Sequence, residues 1–325
     1  MLSRVADSIY WMNRYVERAE NVARFVSVNQ GFSLGGHGGV RAQWKPLIEA
    51  SGDEQLFAEH YSEPTERNVL EFLIFDERNP NSIRSCVLAA RENGRMVRET
   101  LSTAMWEALN RFYIRVREAT DSREDILQRP HQFLGEVNRL SHHLLGVQHA
   151  TISQGEMWNF MRLGRLLERA DKTSRILDVK YYLLLPATND VGSQLDAVQW
   201  TALLDSTSAL TMYRRRYGII VPNQVAEFLI LDRSFPRSIH HCVTGAERAV
   251  HDITGVSTDY FSNPAEQYLG KLRYELTFLS IEDVISQGMH QFVDSIQVRL
   301  DRISEETHNT FFSRPSQQQT QAQSQ

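Results

Sequence analysis

Residues 71–87 read EFLIFDERNPNSIRSCV, and the pattern returns at residues 227–243 as EFLILDRSFPRSIHHCV. The two stretches align without a gap, are identical at 10 of 17 positions and lie 156 residues apart. A repeat at this spacing indicates that one structural unit of roughly 150 residues occurs twice. We therefore predict two copies of one fold rather than two unrelated domains.

A second pair of matching segments extends the repeat toward the start of each copy. Residues 14–20 read RYVERAE and residues 165–171 read RLLERAD, which is an offset of 151 residues. The offset is 151 residues here and 156 residues at the later match. The two copies therefore differ by five residues in the loop between these matching segments. Duplication therefore covers nearly the whole chain.

The domain organisation follows from these matches. We predict one repeat at residues 1–150 and a second at 151–312, packed together as one compact unit. The glycine-rich run at 35–39 is interpreted as a flexible linker. The polar Gln/Ser sequence at 313–325 has nothing to bury and is predicted to be a disordered tail.

The apolar residues indicate an all-α fold. In the first segment they recur at alternating spacings of three and four residues, at Val5, Ile9, Met12, Val16, Ala19, Ala23 and Val26. No stretch alternates with period two between turn residues. We predict about five helices per copy, forming a duplicated helical bundle with approximate internal two-fold symmetry. In the first copy they lie near residues 4–30, 43–60, 66–76, 80–117 and 123–148.

Composition and charge exclude several classes of protein. A formal charge of −5 and a pI near 6.1 are unlike those of a dedicated nucleic-acid binder. Two cysteines cannot form a disulfide framework, and neither a leader pattern nor a membrane-spanning apolar run is visible. The sequence therefore predicts a cytoplasmic protein without nucleic-acid or membrane partners.

A polar stripe occurs in both copies. We predict that its residues bind a ligand or partner, namely Arg14, Glu17, Arg18, Asn21, Arg24, Arg165, Glu168, Arg169 and Arg175. The stripe lies about 140° around the helix from the apolar line, so it is expected to face solvent or a groove. One interpretation is a series of intrahelical ion pairs. The other is a groove around the pseudo-two-fold axis that holds an anionic or zwitterionic ligand.

No motif with a known reaction is present. The chain has no P-loop, no nucleophile elbow and no His-Glu-x-x-His sequence. It also lacks the Glu-x-x-His motif that di-iron helical bundles use. We therefore predict no metal site and no cofactor, and catalytic residues remain unassigned.

The opening residues MLSRVADSIYWMNRYVERAE, together with Glu17-Arg18 and Glu168-Arg169, resemble the bacterial alpha-E family. That family is all-helical and is named for its Glu-Arg motif. Its members are encoded beside, or fused to, circularly permuted ATP-grasp proteins, often near transglutaminase-like peptidases. The resemblance implies an accessory role in a system that makes and cuts peptide or amide bonds.

Two functional hypotheses follow. The first is a non-catalytic accessory protein that partners a circularly permuted ATP-grasp ligase, and a transglutaminase-like protein is a second candidate partner. The alternative is a stand-alone enzyme in which Glu17 and Glu168 act as acid/base groups in a central groove. Oligomeric state is left open, and a homo-oligomer is compatible with both hypotheses.

Overall fold

The computed structural model of the chain describes residues 1–33, 40–183 and 194–313. Within these ranges the chain forms sixteen α-helices, one short 3-10 helix and no strand, which confirms the predicted all-α fold class. The run at 35–39 predicted as a linker lies outside the described residues, as does the predicted tail at 313–325 apart from its first residue.

Eight α-helices lie in each half of the chain. Those of the first half are α1 (Ser3–Ser33), α2 (Val40–Ser51), α3 (Glu54–His60), α4 (Glu66–Ile74), α5 (Ile83–Met96), α6 (Thr103–Asp121), α7 (Arg123–Gln128) and α8 (Pro130–Thr151). Those of the second half are α9 (Glu156–Leu183), α10 (Gln194–Ser206), α11 (Leu210–Tyr217), α12 (Pro222–Ile230), α13 (Ile239–Thr254), α14 (Pro264–Phe278), α15 (Ile281–Gln287) and α16 (Met289–Phe311).

The first half has eight helices rather than the predicted five because three predicted helices are each divided in two. Gly52, at φ 82°, separates α2 from α3 with a left-handed conformation that suits glycine. A 3-10 turn at Arg98–Thr100 ends the predicted helix 80–117, and Ser102 caps a new helix, α6. Pro130 begins α8, where its missing N–H is not needed.

Serine caps set the start of two equivalent helices. The side-chain oxygens of Ser82 and Ser238 each accept a hydrogen bond from the backbone N–H three residues later, at 3.1 Å. Both serines are therefore the N-caps of the helices that follow them. Helix α5 therefore begins at Ile83, immediately after its cap, and not at Pro80 as its proline suggested.

Helices α1 and α9 lie against each other at the centre of the molecule. Helix α1 also packs on α5 and α8, and α9 on α13 and α16. Most of the predicted apolar stripe of α1 is buried, from Ile9 to Val26. The two central backbones approach closely at Gly164, where a Cβ would lie 2.4 Å from the carbonyl oxygen of Tyr10. This close approach brings the polar sides of α1 and α9 together.

Within residues 1–33, 40–183 and 194–313, no helix combines the length and the apolar character that crossing a bilayer requires.

Candidate functional site

The predicted polar stripe is buried between the two central helices. Glu17 is 2% exposed and Glu168 is fully buried, and Arg14 and Arg169 are also buried. The stripe of α1 therefore does not face solvent, because α9 covers this side of the helix. The expectation that it lies on solvent or in an open groove is wrong for these side chains.

The two Glu-Arg motifs bind each other reciprocally. Arg169 donates to Glu17 through Nε and Nη2, at 2.9 and 2.7 Å from the two carboxylate oxygens. Arg18 donates to Glu168 in the same two-point manner, at 2.6 and 2.9 Å. Such bidentate pairs are strong and fix orientation. We call these four residues the Glu-Arg clamp, which joins the two halves of the chain.

Arg14 adds a third hydrogen bond to one side of the clamp. Its Nε donates to Glu168 at 2.9 Å. Its Nη1 donates to the hydroxyls of Tyr10, at 3.1 Å, and Ser304, at 3.2 Å. The guanidinium group of Arg14 is thus held by three elements, α1, α9 and α16.

Arg237, which sequence reasoning missed, completes the other side of the clamp. Its Nη1 donates to Glu17 at 2.9 Å and to Asn21 at 3.1 Å, and its Nη2 donates to Glu20 at 2.6 Å. Arg237 lies in the repeated stretch 227–243, where it precedes the capping serine of α13. The only sequence signal was its place in a stretch whose pattern occurs twice in the chain.

At the offset of 156 residues that aligns 71–87 with 227–243, Arg237 matches Asn81 in the first half of the chain. The side-chain oxygen of Asn81 accepts a hydrogen bond from Arg18 Nη1 at 2.6 Å, and its amide donates to Asp53 at 2.7 Å. Both residues thus contact the clamp from the turn before a capped helix. They differ in charge, so the two sides of the clamp are not identical.

Intrahelical ion pairs flank the clamp, as the simpler interpretation of the stripe predicted. Arg24 pairs with Glu20 four residues before it. On α9, Arg175 Nε lies 3.0 Å from both carboxylate oxygens of Asp171. The structure therefore contains both kinds of contact, with interhelical pairs at the centre and intrahelical pairs toward one end.

Helix α8 also reaches this network. Ser141 donates to Glu20 Oε2 at 2.8 Å, and His142 Nε2 lies 3.1 Å from Glu20 Oε1. Neither residue was predicted, because their helix shows no charged pattern that points to α1. Glu20 is therefore contacted from α1, from α8 and from the turn before α13.

The electrostatics of the clamp keep its carboxylates ionised. Burial alone would raise the pKa of Glu168, but the charges of Arg18 and Arg14 outweigh it and hold that pKa far below its usual range. Glu17 is likewise buried, and Arg169 and Arg237 lower its pKa. Both groups are therefore held as bonded anions across the neutral pH range.

Arg165 has more unsatisfied buried donor atoms than any other residue of the predicted stripe, two against one for Arg24. Its Nε and Nη1 atoms are buried without a hydrogen-bond partner. Burial, followed by repulsion from Arg169, lowers its pKa to about 10. In the alignment of the repeats Arg165 corresponds to Arg14, whose hydroxyl partner Tyr10 is replaced by Met161. Arg165 therefore has two unsatisfied donors at the edge of the clamp.

The two cysteines occupy equivalent buried positions. Burial raises the pKa of Cys86 and of Cys242 to about 12, so both remain thiols. Their Sγ atoms point to backbone carbonyls. Across the described ranges no group of three or more His, Cys, Asp or Glu side chains is arranged to hold a metal ion.

Comparison with known proteins identifies the family of the chain. Residues 1–312 match the Alpha-E family model, described as a predicted alpha-helical domain with a conserved ER motif. No curated protein and no solved structure gave a significant match. Two of its Glu-Arg pairs, Glu17-Arg18 and Glu168-Arg169, lie in the matching segments RYVERAE and RLLERAD, and the structure joins these two. With nearly its whole length matched, this chain belongs to the Alpha-E family.

Proposed function

We propose that this chain is a non-catalytic accessory protein of a circularly permuted ATP-grasp ligase that forms peptide or amide bonds. The observation that carries the proposal is the reciprocal bonding of the Glu-Arg motifs, in which each carboxylate is held by the arginine of the other half. Because the charged groups of both motifs bind each other, they favour an architectural role. The expected partner follows from the family resemblance of the sequence.

The same bonding bears on the alternative of a stand-alone enzyme. An acid/base group works best when its pKa lies near the working pH and when it can reach a substrate. Glu17 and Glu168 have lowered pKa values, are buried and accept several hydrogen bonds each. These properties favour the accessory role over acid/base catalysis by this pair.

We also propose that the chain arose by tandem duplication, with repeats at 1–150 and 151–312 related by an approximate two-fold axis. Support comes from the eight helices in each half and the equivalent serine caps at the starts of α5 and α13. The crossed pairing of the two Glu-Arg motifs is the pattern that such an axis would produce. A cytoplasmic location is part of the same proposal.

Within the polar stripe, we assign ligand or partner contact to Arg165. The clamp residues already hold one another, whereas two donors of Arg165 are unsatisfied. A guanidinium group in this state favours a carboxylate or another anion. The anion would come from a peptidic ligand or from an acidic side chain of the ligase or of a transglutaminase-like partner.

The proposal is tested by co-expressing the chain with a circularly permuted ATP-grasp protein. We expect the two proteins to co-purify and the ATP turnover of the ligase to depend on this chain. Arg165→Met should weaken the complex or its turnover, whereas the exposed control Arg67→Met should not. If the chain purifies alone and ATP turnover is the same without it, the accessory role is refuted.

A further inference from the structure

A cavity of about 570 Å³ lies between α13, α14 and the segment that joins them. Its exposed lining residues include three aromatic side chains, Tyr260, Phe261 and Tyr274, each more than half exposed. Its buried lining includes Glu247 and Glu266. The rings therefore stand at the mouth and the carboxylates lie at the inner end. None of the clamp residues lines this cavity.

Glu247 presents an unsatisfied acceptor to the cavity. Its Oε2 accepts from Arg273 Nε at 2.9 Å, whereas its Oε1 is buried without a hydrogen-bond partner. Across from this oxygen lies Gly270, where a Cβ would be 3.4 Å from Oε1. Because residue 270 is glycine, no side chain of that residue lies against the oxygen. A buried carboxylate oxygen without a donor is costly, so a ligand that supplies one is favoured.

The other charged groups around the cavity are already engaged. Glu266 accepts hydrogen bonds from Ser262 and Thr254. Arg299 and Glu275 form a two-point ion pair at 2.7 and 2.9 Å. The ammonium group of Lys271 lies over an aromatic ring of its own helix, 5.7 Å from the ring centre. Asp259 is exposed and accepts a hydrogen bond from Ser257 at 3.1 Å. Among these lining residues, Oε1 of Glu247 is therefore the buried carboxylate oxygen that has no donor.

The first half of the chain contains a cation at the equivalent position. Glu247 aligns with Arg91 at the offset of 156 residues. The Arg91 guanidinium lies over the ring of Tyr113, 4.9 Å from its centre, and its Nε donates to Asn110 at 3.3 Å. When α6 and α14 are aligned on their buried positions, Asn110 corresponds to Gly270. The second half therefore has Glu247 where the first half has the cation Arg91. It has Gly270 where the first half has Asn110, which accepts a hydrogen bond from that cation.

We propose that this cavity binds a primary ammonium group, carried by a lysine side chain or by the free amino terminus of a peptide. A single free oxygen suits a compact ammonium, whereas a guanidinium fork needs two acceptors in line. The aromatic rings at the mouth can bind the cation through cation–π contacts, and they can pack against the chain that carries it. Binding itself does not depend on the proposed ligase. The further role of presenting an amine for amide formation rests on the proposed function.

Calorimetric titration of the full chain, without any partner, tests the proposal. The probes are Nα-acetyl-lysine amide for the side-chain source and glycylglycine amide for the amino-terminal source. We expect at least one to bind, and the tighter one identifies the source. Nα,Nε-diacetyl-lysine amide, which lacks the charge, should not bind. Failure of both amines, or equal binding of the diacetyl compound, overturns the proposal while leaving the accessory role untouched.

Two variants locate the site. Gly270→Ala places a methyl group beside the free oxygen of Glu247 and should weaken binding about tenfold or more. Its matched control is Gly146→Ala, a helical glycine with nothing within 4 Å. Both should raise the melting temperature, because alanine favours a helix. Glu247→Gln removes the charge and should also weaken binding. A Gly270→Ala variant that binds as tightly as wild type refutes the assignment.

Discussion

Replacing Glu168 by glutamine tests whether the Glu-Arg clamp stabilises the fold. Glu168 accepts three hydrogen bonds, two from Arg18 and one from Arg14, at 2.6 to 2.9 Å. Glutamine keeps the shape but removes the charge, and its NH₂ group points a donor at a guanidinium group. Because Glu168 is fully buried, water cannot take over the lost interactions.

The expected loss of stability is large. Removing one partner of a buried ion pair leaves uncompensated buried charge, which costs about 3–5 kcal/mol. An unfolding entropy of ~2.1 cal/mol/K per residue over 325 residues corresponds to about 1.5 °C per kcal/mol. We therefore expect the melting temperature of Glu168→Gln to fall by roughly 4–7 °C.

The pH dependence of folding stability is a second test of the role of Glu168. The pKa of Glu168 is lower in the folded protein than its ordinary value of 4.5. The unfolded chain therefore binds a proton first as the pH falls, and the stabilisation by Glu168 is complete above pH 4.5 and is lost below it. Wild type should consequently lose more stability than Glu168→Gln between about pH 5 and pH 2.

Scanning calorimetry and urea unfolding at several pH values measure both effects. The matched control is Glu124→Gln, because Glu124 also accepts two hydrogen bonds from an arginine, Arg67, but on the surface. Its melting temperature should remain that of wild type. If Glu168→Gln loses less than about 1 kcal/mol, the clamp does not stabilise the fold and the architectural interpretation of the motif fails.

Two further predictions concern the close contacts of the central helices. Arg165→Met should leave stability unchanged or raise it by about 1 kcal/mol, because the guanidinium lacks partners, whereas the aligned substitution Arg14→Met should cost about 2–3 kcal/mol. Equal urea midpoints for the two variants would contradict this difference. Gly164→Ala should destabilise by about 1–3 kcal/mol, because its Cβ would meet the carbonyl oxygen of Tyr10, while Gly146→Ala should be stabilising. Similar melting curves for the two alanine variants would show that the helices can separate without cost.

Much of the fold was predictable because it depends on local sequence. The apolar spacing on α1 identified its core face, and the absence of period-two alternation indicated helices rather than strands. The helix count was too low because breaks at Gly52, Ser102 and Pro130 were overlooked within long apolar patterns. These three residues are themselves ordinary signals of helix ends and starts.

The partners in the clamp were harder to predict. Helical periodicity places Glu17 on one side of α1 but does not say which helix covers that side. The interhelical pairing with Arg169, 152 residues away, depends on how the two halves pack. Arg237 was missed for the same reason, since a residue before a helix cap gives no sign that it reaches a distant carboxylate.

The order of synthesis gives the clamp a further consequence. The apolar side of α1 packs on α5 and α8, which emerge from the ribosome within the first half of the chain. The charged side of α1 can form its ion pairs only after α9 has been synthesised. At 5–20 residues per second, the 152 residues from Glu17 to Arg169 take about 8–30 s to make. During that interval the nascent half exposes ionised groups that water solvates well, rather than a bare apolar surface. An interface made of charge should therefore protect the unfinished protein from aggregation until its second half arrives.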